Sequence, residues 1–382
     1  MRRRLASDSE EFAAKPIPGV GPRVPEALVD NRRVKAVRVD ASGAVSVVDL
    51  PEPEVGAGDA LMRTRVSGIC GSDLLDWYVR QKAGSVLGHE VSGELVEVGA
   101  GVTAFRAGDR VVPHHHAPCL ACPACAAGRY VHCARWRRSR LDPGGMAELV
   151  RIPAENLSRD TLRIPDGLTD EEASFTEPLA TVVKALRRAR FAEGQSILCV
   201  GLGPAGQLAL RLARERGASR AAGADRVASR RALALESGAA ETIDVDREGL
   251  SEGARRLTSG GGFDLVFVGP GKAEVVREAA DAVAAGGTLL LFTMAPPGET
   301  WAAELHDLYF RETSVVPSYS CGPDDTREAL DLLASRAVPV ADLVSHRFDF
   351  GSAPAAFARA RDPRGAMKVV FRAEGTGSGA RR

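Results

Sequence analysis

The sequence predicts an α/β protein with a small strand-rich part, a larger doubly wound parallel sheet and a short final segment. Short apolar strands separated by Gly and Pro turns fill the chain from Val34 to about Glu177. From Ser196 onward, apolar runs alternate with segments of helical periodicity, which is typical of a parallel sheet covered by helices on both faces. The length of 382 residues is enough for two domains with separate cores.

The segment Ser196–Asp225 carries the clearest functional signal. It is predicted to form a strand, a glycine turn, a helix and a second strand that ends in an acid. In this context, glycines permit a tight turn and a close approach of a pyrophosphate, while the helix N-terminus faces the phosphates. Asp225 stands where a carboxylate accepts ribose hydroxyls. A glycine turn without a ligand is the alternative. The predicted turn residues are Gly201, Gly203, Pro204, Ala205 and Gly206.

The first part is predicted to be a largely antiparallel, barrel-like domain. Alternating or apolar runs joined by turns predict its strands. We expect strands at Val34–Val39, Val45–Val48, Ala60–Val66, Val91–Val98 and Arg110–Pro113. Residues 1 to about 33 are rich in proline, glycine and charge, and we expect a loosely ordered extension there.

A helix at Leu179–Ala189 is predicted to lead into the parallel sheet. Later strands are predicted at Phe263–Val268, Thr288–Thr293 and Ser314–Val316, with helices at Lys272–Ala284 and Ala302–Tyr309. The final segment is predicted to contain helices at Asp324–Ser335 and Pro354–Ala360, and strands at Leu343–Phe350 and Ala366–Phe371. Residues 374–382 are expected to form a disordered tail.

The charge balance argues against a nucleic-acid partner. Lysine plus arginine equals aspartate plus glutamate, at 50 residues each, and no block of like charge stands out. No apolar run approaches the roughly 18 residues that a membrane span needs. The basic start at Met1 is not followed by an apolar region, and nearby acids argue against a transit peptide. We therefore expect no membrane partner and a cytoplasmic location.

Four of the seven cysteines lie within 15 residues and predict a structural zinc site. Four thiolates on short spacers can surround Zn²⁺ as a tetrahedron, which leaves no position open for a substrate. Without a secretion signal, such a cluster indicates metal binding before disulfides, although free or disulfide-bonded cysteines are the alternative. The predicted ligands are Cys119, Cys122, Cys125 and Cys133, whereas Cys199 and Cys321 are interpreted as packing residues and His114, His115, His116 and His132 as residues at the surface or behind the ligands.

Several motifs occur in a fixed order along the chain. They are Gly68-Ile69-Cys70-Gly71-Ser72-Asp73, Gly88-His89-Glu90, Gly108-Asp109-Arg110-Val111, the four-cysteine lobe, Gly144-Gly145-Met146-Ala147-Glu148, Glu177-Pro178-Leu179 and the glycine turn. Together they resemble the zinc-containing medium-chain alcohol dehydrogenases, and within them the sorbitol/L-iditol and threonine dehydrogenase branch. The resemblance runs from about Val34 to Phe371. It implies a GroES-like catalytic domain at 34–183 with a zinc lobe at 114–136, a Rossmann domain at 184–318 and a return to the catalytic domain at 319–373.

The resemblance implies a second, catalytic zinc. Cys70 and His89 are ligands that such a zinc takes, and a third ligand must be an acid or a cysteine so that the fourth position stays open. Similarity to sorbitol dehydrogenases makes Glu90 the direct ligand and Glu177 a ligand through water, but the choice between these two glutamates stays open. Asp73 is implied to hydrogen-bond His89 and fix its tautomer.

The proton route that the resemblance implies is incomplete in this chain. The family often has a histidine five residues after the zinc cysteine, where this sequence has Leu75, and the next position holds Asp76 in place of a pocket tyrosine. Ser72 still matches the family's hydroxyl beside the metal, so we expect it to take part in proton transfer from the substrate. Three aromatic residues are candidates for either the pocket or the core: Trp77, Tyr78 and Trp136.

NAD is the predicted cofactor and NADP is the alternative. Asp225 would accept both ribose hydroxyls and repel a 2′-phosphate. Asp225 followed five residues later by Arg230 matches the pattern that accompanies NAD in the sorbitol dehydrogenase branch. Arg226 and Arg231 favour NADP, because arginine is suited to bidentate contacts with a phosphate. Further residues implied to line the cofactor are Val268, Phe292, Thr293, Ser318 and Tyr319.

The implied function is the reversible oxidation of a secondary alcohol to a ketone, with a polyol, sugar or cyclitol as substrate. Zinc would act as a Lewis acid on the substrate oxygen, and the nicotinamide would accept a hydride. A simple alcohol or amino-alcohol dehydrogenase is one alternative, and a dinucleotide-binding sensor that kept the fold is another. The resemblance also implies a homodimer or homotetramer. The residues predicted to be catalytic are Cys70, Ser72, His89 and Glu177.

Overall fold

Residues 33–373 are described by the computed structural model of the chain, and they form two large sheets joined by helices. The predicted N-terminal extension and C-terminal tail lie outside the described residues, except that Arg33 is the first residue of the first strand. No helix within residues 33–373 is long and apolar enough to cross a membrane.

Short strands and helices make up the first part of the described chain. The strands are β1 (Arg33–Val39), β2 (Val45–Pro51), β3 (Ala60–Gly68), β4 (Glu90–Val98), β5 (Arg110–Pro113), β6 (Leu149–Ile152) and β7 (Thr161–Arg163). The helices are α1 (Asp76–Val79), α2 (Pro123–Ala126), α3 (Ala134–Arg138), α4 (Ala154–Arg159) and α5 (Asp170–Ala173). A 3-10 turn, Gly71–Leu74, precedes α1.

Helix α6 (Thr176–Arg188) leads into a region where strands and helices alternate. The strands are β8 (Ser196–Val200), β9 (Arg220–Asp225), β10 (Glu241–Asp244), β11 (Phe263–Val268), β12 (Val283–Leu291) and β13 (Ser314–Pro317). The helices are α7 (Pro204–Glu215), α8 (Ala228–Glu236), α9 (Leu250–Thr258), α10 (Ala273–Asp281) and α11 (Leu305–Phe310). The final elements are α12 (Pro323–Ala334), β14 (Val344–Phe348), α13 (Ala353–Ala360) and β15 (Lys368–Arg372).

Strands β8 to β13 form a parallel sheet in the order β10-β9-β8-β11-β12-β13. The chain moves outward from β8 in one direction and then returns to β11 on its other side. Ligands of open α/β sheets bind in the crevice at such a reversal, outside the carboxyl ends of the strands. The side chains of β8 are buried on both faces, with Cys199 in one apolar cluster and Leu198 in another. The predicted fold class is confirmed.

The other sheet has the order β14-β15-β3-β4-β5-β7, with β6 also paired to β3. Its pairs are antiparallel apart from β14 with β15. Strand β15 lies beside β3, with Val370 opposite Gly68. The end of the chain therefore reaches the region that follows β3, where Cys70 is located.

The boundaries predicted near Val283 are wrong. Helix α10 ends at Asp281, not at Ala284, and β12 runs from Val283 to Leu291 instead of starting at Thr288. Alanine favours a helix, so the alanine-rich sequence around Val283 predicts a helix where the strand begins. Pairing with β11 overrides this preference, and a register shift takes up the extra residues, which include Gly286 at a φ of +73°.

Two further predictions were too long or displaced. Helix α11 spans Leu305–Phe310 instead of Ala302–Tyr309. Strand β14 spans Val344–Phe348 instead of Leu343–Phe350, because a 3-10 turn flanks it on each side. The second turn is capped by Asp349, whose carboxylate accepts a hydrogen bond from the N–H of Ser352. Side-chain capping thus ends the strand before its apolar pattern ends.

Candidate active site

The first candidate site lies where two neighbouring strands meet. Strand β3 ends at Gly68 and β4 begins at Glu90, and antiparallel pairing puts these residues opposite each other. The flanking segments carry Cys70 and His89, so the donor atoms of Cys70, His89 and Glu90 lie within 4.8 Å of one another. A thiol, an imidazole and a carboxylate at this separation form a ligand set suited to a catalytic zinc.

Glu90 is held in place by a lysine from the end of the chain. Its Oε2 forms an ion pair with the ammonium group of Lys368 on β15, which also donates to the carbonyl of Ile69 at 3.2 Å. Both charged side chains are buried. A Cβ at Gly68 would overlap both of them, so this position requires glycine. The pair engages Oε2 of Glu90 and leaves Oε1 for a metal.

The charges around Cys70 fit a bound cation. Burial raises the pKa of the Cys70 thiol, and the nearby carboxylates of Glu90 and Asp73 raise it further. A thiolate at this position therefore needs a positive charge next to it. A zinc ion held by Cys70, His89 and Glu90 would supply that charge, so the residues present fit the predicted metal.

The predicted hydrogen bond between Asp73 and His89 is not formed. Oδ2 of Asp73 accepts the N–H of Cys70 at 3.2 Å, and Oδ1 has no hydrogen-bond partner among residues 33–373. The 3-10 turn Gly71–Leu74 folds Asp73 back onto the residue that begins the turn. Asp73 therefore fixes the backbone at Cys70, and Lys82 is its nearest cation, with Nζ 3.9 Å from Oδ1.

Glu177 lies beside this trio in a second group of donors. Its carboxylate and the rings of His114 and His115 have donor atoms within 4.8 Å of one another. The centroids of the His115 and His89 rings lie 5.1 Å apart, so the two groups are neighbours. Burial raises the pKa of Glu177 to about 7, although His89 opposes the rise. Glu177 thus borders the region of the predicted ligands from the side of the histidines.

Of the three consecutive histidines, predicted to lie at the surface or behind the ligands, the structure buries His114 and His116. Nδ1 of His114 lies 2.7 Å from Oδ2 of Asp160, and Nε2 lies 3.5 Å from Sγ of Cys321. Since both ring nitrogens of His114 have partners, we assign no metal to the group with Glu177. The burial of these histidines could have been expected from their position in the sequence, because residues that directly follow the buried strand β5 cannot all face water.

The aromatic and acidic candidates near the site have distinct surroundings. Trp136 is buried in the core of the cysteine lobe, and its ring lies 3.9 Å from that of His116. Tyr78 lies beneath Lys82, whose Nζ is 4.3 Å from the ring centroid. Asp76 is exposed and pairs with Arg361 at 3.0 Å. Asp76 is therefore engaged at the surface. The remaining candidate for proton transfer is Ser72, whose hydroxyl is the nearest to Cys70 in sequence.

The four cysteines of the lobe come together as predicted by their spacing. Their sulfur atoms lie within 4.8 Å of one another, with 3.6 Å between Cys122 and Cys125 and 3.9 Å between Cys119 and Cys125. A tetrahedral site with Zn–S bonds of roughly 2.3 Å has sulfurs about 3.8 Å apart. Burial opposes ionisation of Cys133, but N–H donors, with that of Cys119 first, lower its pKa to about 6. The residues fit a closed zinc site.

The glycine turn lies between β8 and α7, at the reversal of the parallel sheet. Gly201 has a φ of +85°, which residues with a Cβ rarely adopt, and a Cβ at Gly206 would overlap the carbonyl oxygen of Gly201. Helix α7 begins at Pro204, so its first N–H groups point into the turn. This arrangement is suited to a pyrophosphate.

Arg230 on α8 faces the same turn. Its Nη1 lies 3.7 Å from the place of a Cβ on Gly203, and its Nη2 donates to the carbonyl of Ala366 at 3.2 Å. The buried Nε has no hydrogen-bond partner among residues 33–373. A guanidinium beside the turn with a donor unused fits a phosphate group.

Asp225 ends β9 with both carboxylate oxygens bound to the main chain. Oδ2 accepts the N–H of Leu202 at 2.7 Å, and Oδ1 accepts the N–H of Val227 at 2.8 Å. Each carboxylate oxygen can accept a second hydrogen bond, so the group can also bind ribose hydroxyls. The backbone thus holds the negative charge where an adenosine ribose would lie.

The neighbouring arginines differ in their freedom to bind a phosphate. Arg231 donates to Asp244 at 2.6 Å and to the carbonyl of Asp225 at 2.8 Å. The side chain of Arg226 is 71% exposed, and its nearest acid, Asp246, is 3.9 Å away. Arg226 therefore keeps its donors for a ligand, whereas Arg231 is engaged within the protein.

The other predicted cofactor residues lie at or beyond the carboxyl ends of β11, β12 and β13. The buried hydroxyl of Ser318 has no hydrogen-bond partner among residues 33–373, which suits a contact with a ligand. Tyr319 is exposed, and its ring lies 5.9 Å from that of Trp136. The full set is Val268, Phe292, Thr293, Ser318 and Tyr319.

Comparisons with known proteins agree with both sites. The family profile "Alcohol dehydrogenase GroES-like domain" matches residues 56–166, and "Zinc-binding dehydrogenase" matches residues 204–335. An L-threonine 3-dehydrogenase from Anaeromyxobacter sp. is 31% identical over 330 residues, which is 85% of this chain and 92% of that protein. A D-xylulose reductase A from Aspergillus niger is 29% identical over 339 residues, 85% of this chain and 93% of that protein.

A solved structure has the same fold. It is a protein from Sinorhizobium meliloti assigned as a zinc-binding dehydrogenase and bound to NADP, with a TM-score of 0.81 and 31% identity. The match covers 90% of this chain and 100% of that one. The chain therefore belongs to the zinc-containing medium-chain alcohol dehydrogenase family and is an oxidoreductase that acts on alcohols with zinc and a nicotinamide cofactor.

Proposed function

We propose that this enzyme interconverts a secondary alcohol and a ketone at Cys70, His89 and Glu90, with NAD as its cofactor. The observation that carries the proposal is the convergence of these three donors within 4.8 Å. The proposal assigns residues 34–183 and 319–373 to the catalytic domain and residues 184–318 to the cofactor domain. The names of the relatives give L-threonine and D-xylulose as their substrates, and we propose a polyol, sugar or cyclitol for this enzyme, with an amino alcohol as the alternative.

The residues of this chain have separate tasks in the proposed reaction. A bound zinc would polarise the substrate oxygen, and the nicotinamide would take up the hydride. Lys368 holds Glu90 through their buried ion pair, and Asp73 fixes the backbone N–H of Cys70. Ser72, in the turn after Cys70, accepts the proton of the substrate hydroxyl while its own hydroxyl proton passes to solvent. Glu177 borders the site as a ligand through water.

Replacement of Ser72 by alanine is expected to slow turnover by about 10²- to 10⁴-fold, the usual contribution of a positioned proton-transfer group. Zinc content and cofactor affinity should stay near those of the parent enzyme, because Ser72 is not among the zinc or dinucleotide ligands proposed above. The measurement is NADH formation in a single turnover, with Ser72→Thr as the control that keeps a hydroxyl. An unchanged rate in Ser72→Ala would mean that the substrate proton leaves to solvent without Ser72.

The assay that tests the function also tests the cofactor. Absorbance at 340 nm is followed with a panel of polyols and amino alcohols, with NAD and NADP in parallel, before and after treatment with a chelator. We expect chelator-sensitive reduction with a higher kcat/KM for NAD, because Asp225 accepts the ribose hydroxyls and repels a 2′-phosphate. Asp225→Ser should narrow the difference between the two cofactors.

Two outcomes of this assay would contradict the proposal. Dinucleotide binding without reduction by any alcohol would favour a sensor that kept the fold. A preference for NADP of tenfold or more would mean that Arg226, not Asp225, determines the choice, and Arg226→Ala should then reverse it. Arg231→Ala is the matched control, because Asp244 and the Asp225 carbonyl already engage that arginine.

We extend the proposal to a homodimer in which the β13 edges of two copies meet. Strand β13 has no partner on its outer side among residues 33–373. Large apolar side chains next to it are exposed: Leu305 at 79%, Tyr309 at 76% and Phe310 at 70%. Such an exposed patch beside a free sheet edge indicates a protein interface.

Sedimentation of the parent enzyme should give a dimer, and Tyr309→Glu should weaken the association of the two copies. A monomeric parent enzyme would contradict the proposed dimer.

A further inference from the structure

His115 differs from the two histidines beside it because the protein does not use its ring nitrogens. Nδ1 of His115 is buried without a hydrogen-bond partner among residues 33–373, and Nε2 forms no hydrogen bond to these residues either. By contrast, both ring nitrogens of His114 have partners in the protein, and Nδ1 of His116 lies 3.0 Å from the carbonyl oxygen of Ser139. Buried polar groups of folded proteins nearly always have a partner, so the free nitrogens of His115 indicate that a ligand binds there.

The ring of His115 is held in place by its neighbours. Its centroid lies 4.1 Å from that of His116 and 4.8 Å from that of His114, which meets it edge-on at an angle of 89°. His114 is itself fixed, because its Nδ1 lies 2.7 Å from Oδ2 of Asp160, whose Oδ1 accepts a hydrogen bond from the hydroxyl of Thr326 at 2.6 Å. A ring that is positioned in this way can bind a ligand without first becoming ordered.

His115 also lies at the candidate zinc site. Its ring centroid is 5.1 Å from that of the proposed zinc ligand His89, and its donor atom lies within 4.8 Å of a carboxylate oxygen of Glu177. His115, His89 and Cys70 are half-buried, whereas the other two consecutive histidines are buried. Of the three consecutive histidines, His115 therefore has the accessible ring, next to the place where the reacting hydroxyl would bind.

The surroundings of His115 favour an uncharged hydroxyl group as its ligand. The other two imidazoles of the run and a zinc ion at His89 both disfavour a positive charge on the ring. A neutral imidazole offers one N–H donor and one acceptor nitrogen. A hydroxyl group also donates one hydrogen bond and accepts others, so it matches either nitrogen of the ring.

We propose that His115 binds a hydroxyl group on the carbon next to the reacting carbon and thereby makes the enzyme distinguish a diol from an isolated secondary alcohol. This inference rests on the proposed function, because the reacting hydroxyl of the same molecule must lie at Cys70, His89 and Glu90. Hydroxyls on adjacent carbons are close enough to reach neighbouring groups such as the zinc at His89 and the ring of His115. His115 is thus assigned as a residue that determines specificity, and not as a metal ligand.

Alcohols that differ only in the second hydroxyl test the proposal. We compare 2,3-butanediol with 2-butanol, and 1,2-propanediol with 2-propanol, by reduction of NAD at 340 nm. Each diol is expected to have a kcat/KM at least about tenfold above that of its partner. His115→Phe, which keeps a ring without nitrogen atoms, should lower this ratio at least about fivefold, the effect of leaving one buried hydrogen-bonding group without its partner. The loss should fall on the diol alone, because the proposal places His115 at the second hydroxyl only.

Two further variants separate substrate binding from structural damage. His115→Gln keeps a donor and an acceptor and should recover part of the ratio that His115→Phe loses. His132→Phe is the matched control, because it makes the same replacement at an exposed histidine and should leave the ratio unchanged. A His115→Phe enzyme with the ratio of the parent, or one in which both members of a pair lose the same factor, would overturn the inference and leave the proposed function intact.

A binding experiment decides the matter if none of these alcohols is oxidised. The zinc-loaded enzyme saturated with NAD is titrated calorimetrically with 2,3-butanediol and with 2-butanol. We expect the diol to bind to the parent enzyme at least about fivefold more tightly than the mono-alcohol, and the two to bind equally to His115→Phe. Absence of this difference in the parent, or its persistence in His115→Phe, would overturn the inference. Failure of the proposed function is recognised separately, by the absence of NAD reduction with every alcohol of the larger panel.

Discussion

Replacement of Cys122 by serine is expected to remove one zinc ion per chain and to lower the free energy of unfolding by more than about 4 kcal/mol, the range seen when a structural metal is lost. The lobe that carries the four cysteines has little apolar material of its own. Its buried core consists of Cys125, Cys133, Val131 and Trp136. A region this small cannot bury enough surface to stay folded without the metal.

Loss of the lobe should also disturb the active site. Tyr130 in the lobe donates a hydrogen bond to Asp324 on α12 at 2.7 Å, and the ring of Trp136 contacts that of His116, with their centroids 3.9 Å apart. Calorimetric melting and elemental analysis are the measurements. Cys199→Ser is the control, because it places a hydroxyl in the buried strand β8 without removing a zinc ligand. If Cys122→Ser lost only turnover while its melting temperature held, the structural role of the lobe would be refuted.

Lys368→Met is expected to cost about 3–5 kcal/mol of stability, because it leaves the buried carboxylate of Glu90 without its partner. The side chains of Lys368 and Glu90 are only 2% and 3% exposed. Zinc bound at Cys70 should also weaken, since the ion pair is what orients Glu90. Denaturant unfolding in a Cys70→Ser background, where zinc remains only in the four-cysteine lobe, isolates the first effect. Zinc titration of the protein that keeps Cys70 measures the second.

A double variant separates the charge from the packing. Glu90→Gln in addition to Lys368→Met removes both charges and should recover most of the lost stability, because replacing both partners of a buried pair is often near neutral. It should not restore turnover, since Glu90 is the proposed metal ligand. Lys272→Met, at a lysine whose side chain is 70% exposed, is the control. A Lys368→Met protein as stable as the parent would mean that the pair does not stabilise the fold.

The parts of the molecule that the sequence predicted well are those with local causes. The spacing of Cys119, Cys122, Cys125 and Cys133 and the glycine turn from Gly201 to Gly206 are short patterns with strict geometric requirements, and the structure forms both. The central strands β8 and β11 of the parallel sheet follow apolar runs that are buried on both faces. These elements could be predicted from the sequence because residues close together in the chain meet their geometric requirements.

The errors arose where distant parts of the chain decide the outcome. Lys368 reaches Glu90 across 278 positions, and no pattern near either residue indicates the pair. His114 is buried because Asp160 and Cys321 complete its hydrogen bonds from two other segments. The start of β12 at Val283 depends on pairing with β11, which outweighs the helical preference of alanine. Tertiary partners supply information that periodicity and motifs do not contain.

The zinc content of the parent enzyme and of Cys70→Ser tests the central claim most directly, namely that a metal site at Cys70, His89 and Glu90 exists apart from the lobe. Elemental analysis of carefully prepared protein should give two zinc ions per chain for the parent and one for Cys70→Ser. The variant should keep its melting temperature, because the lobe remains loaded, and should produce no NADH. A single zinc ion in the parent, or two in an inactive Cys70→Ser, would contradict the account.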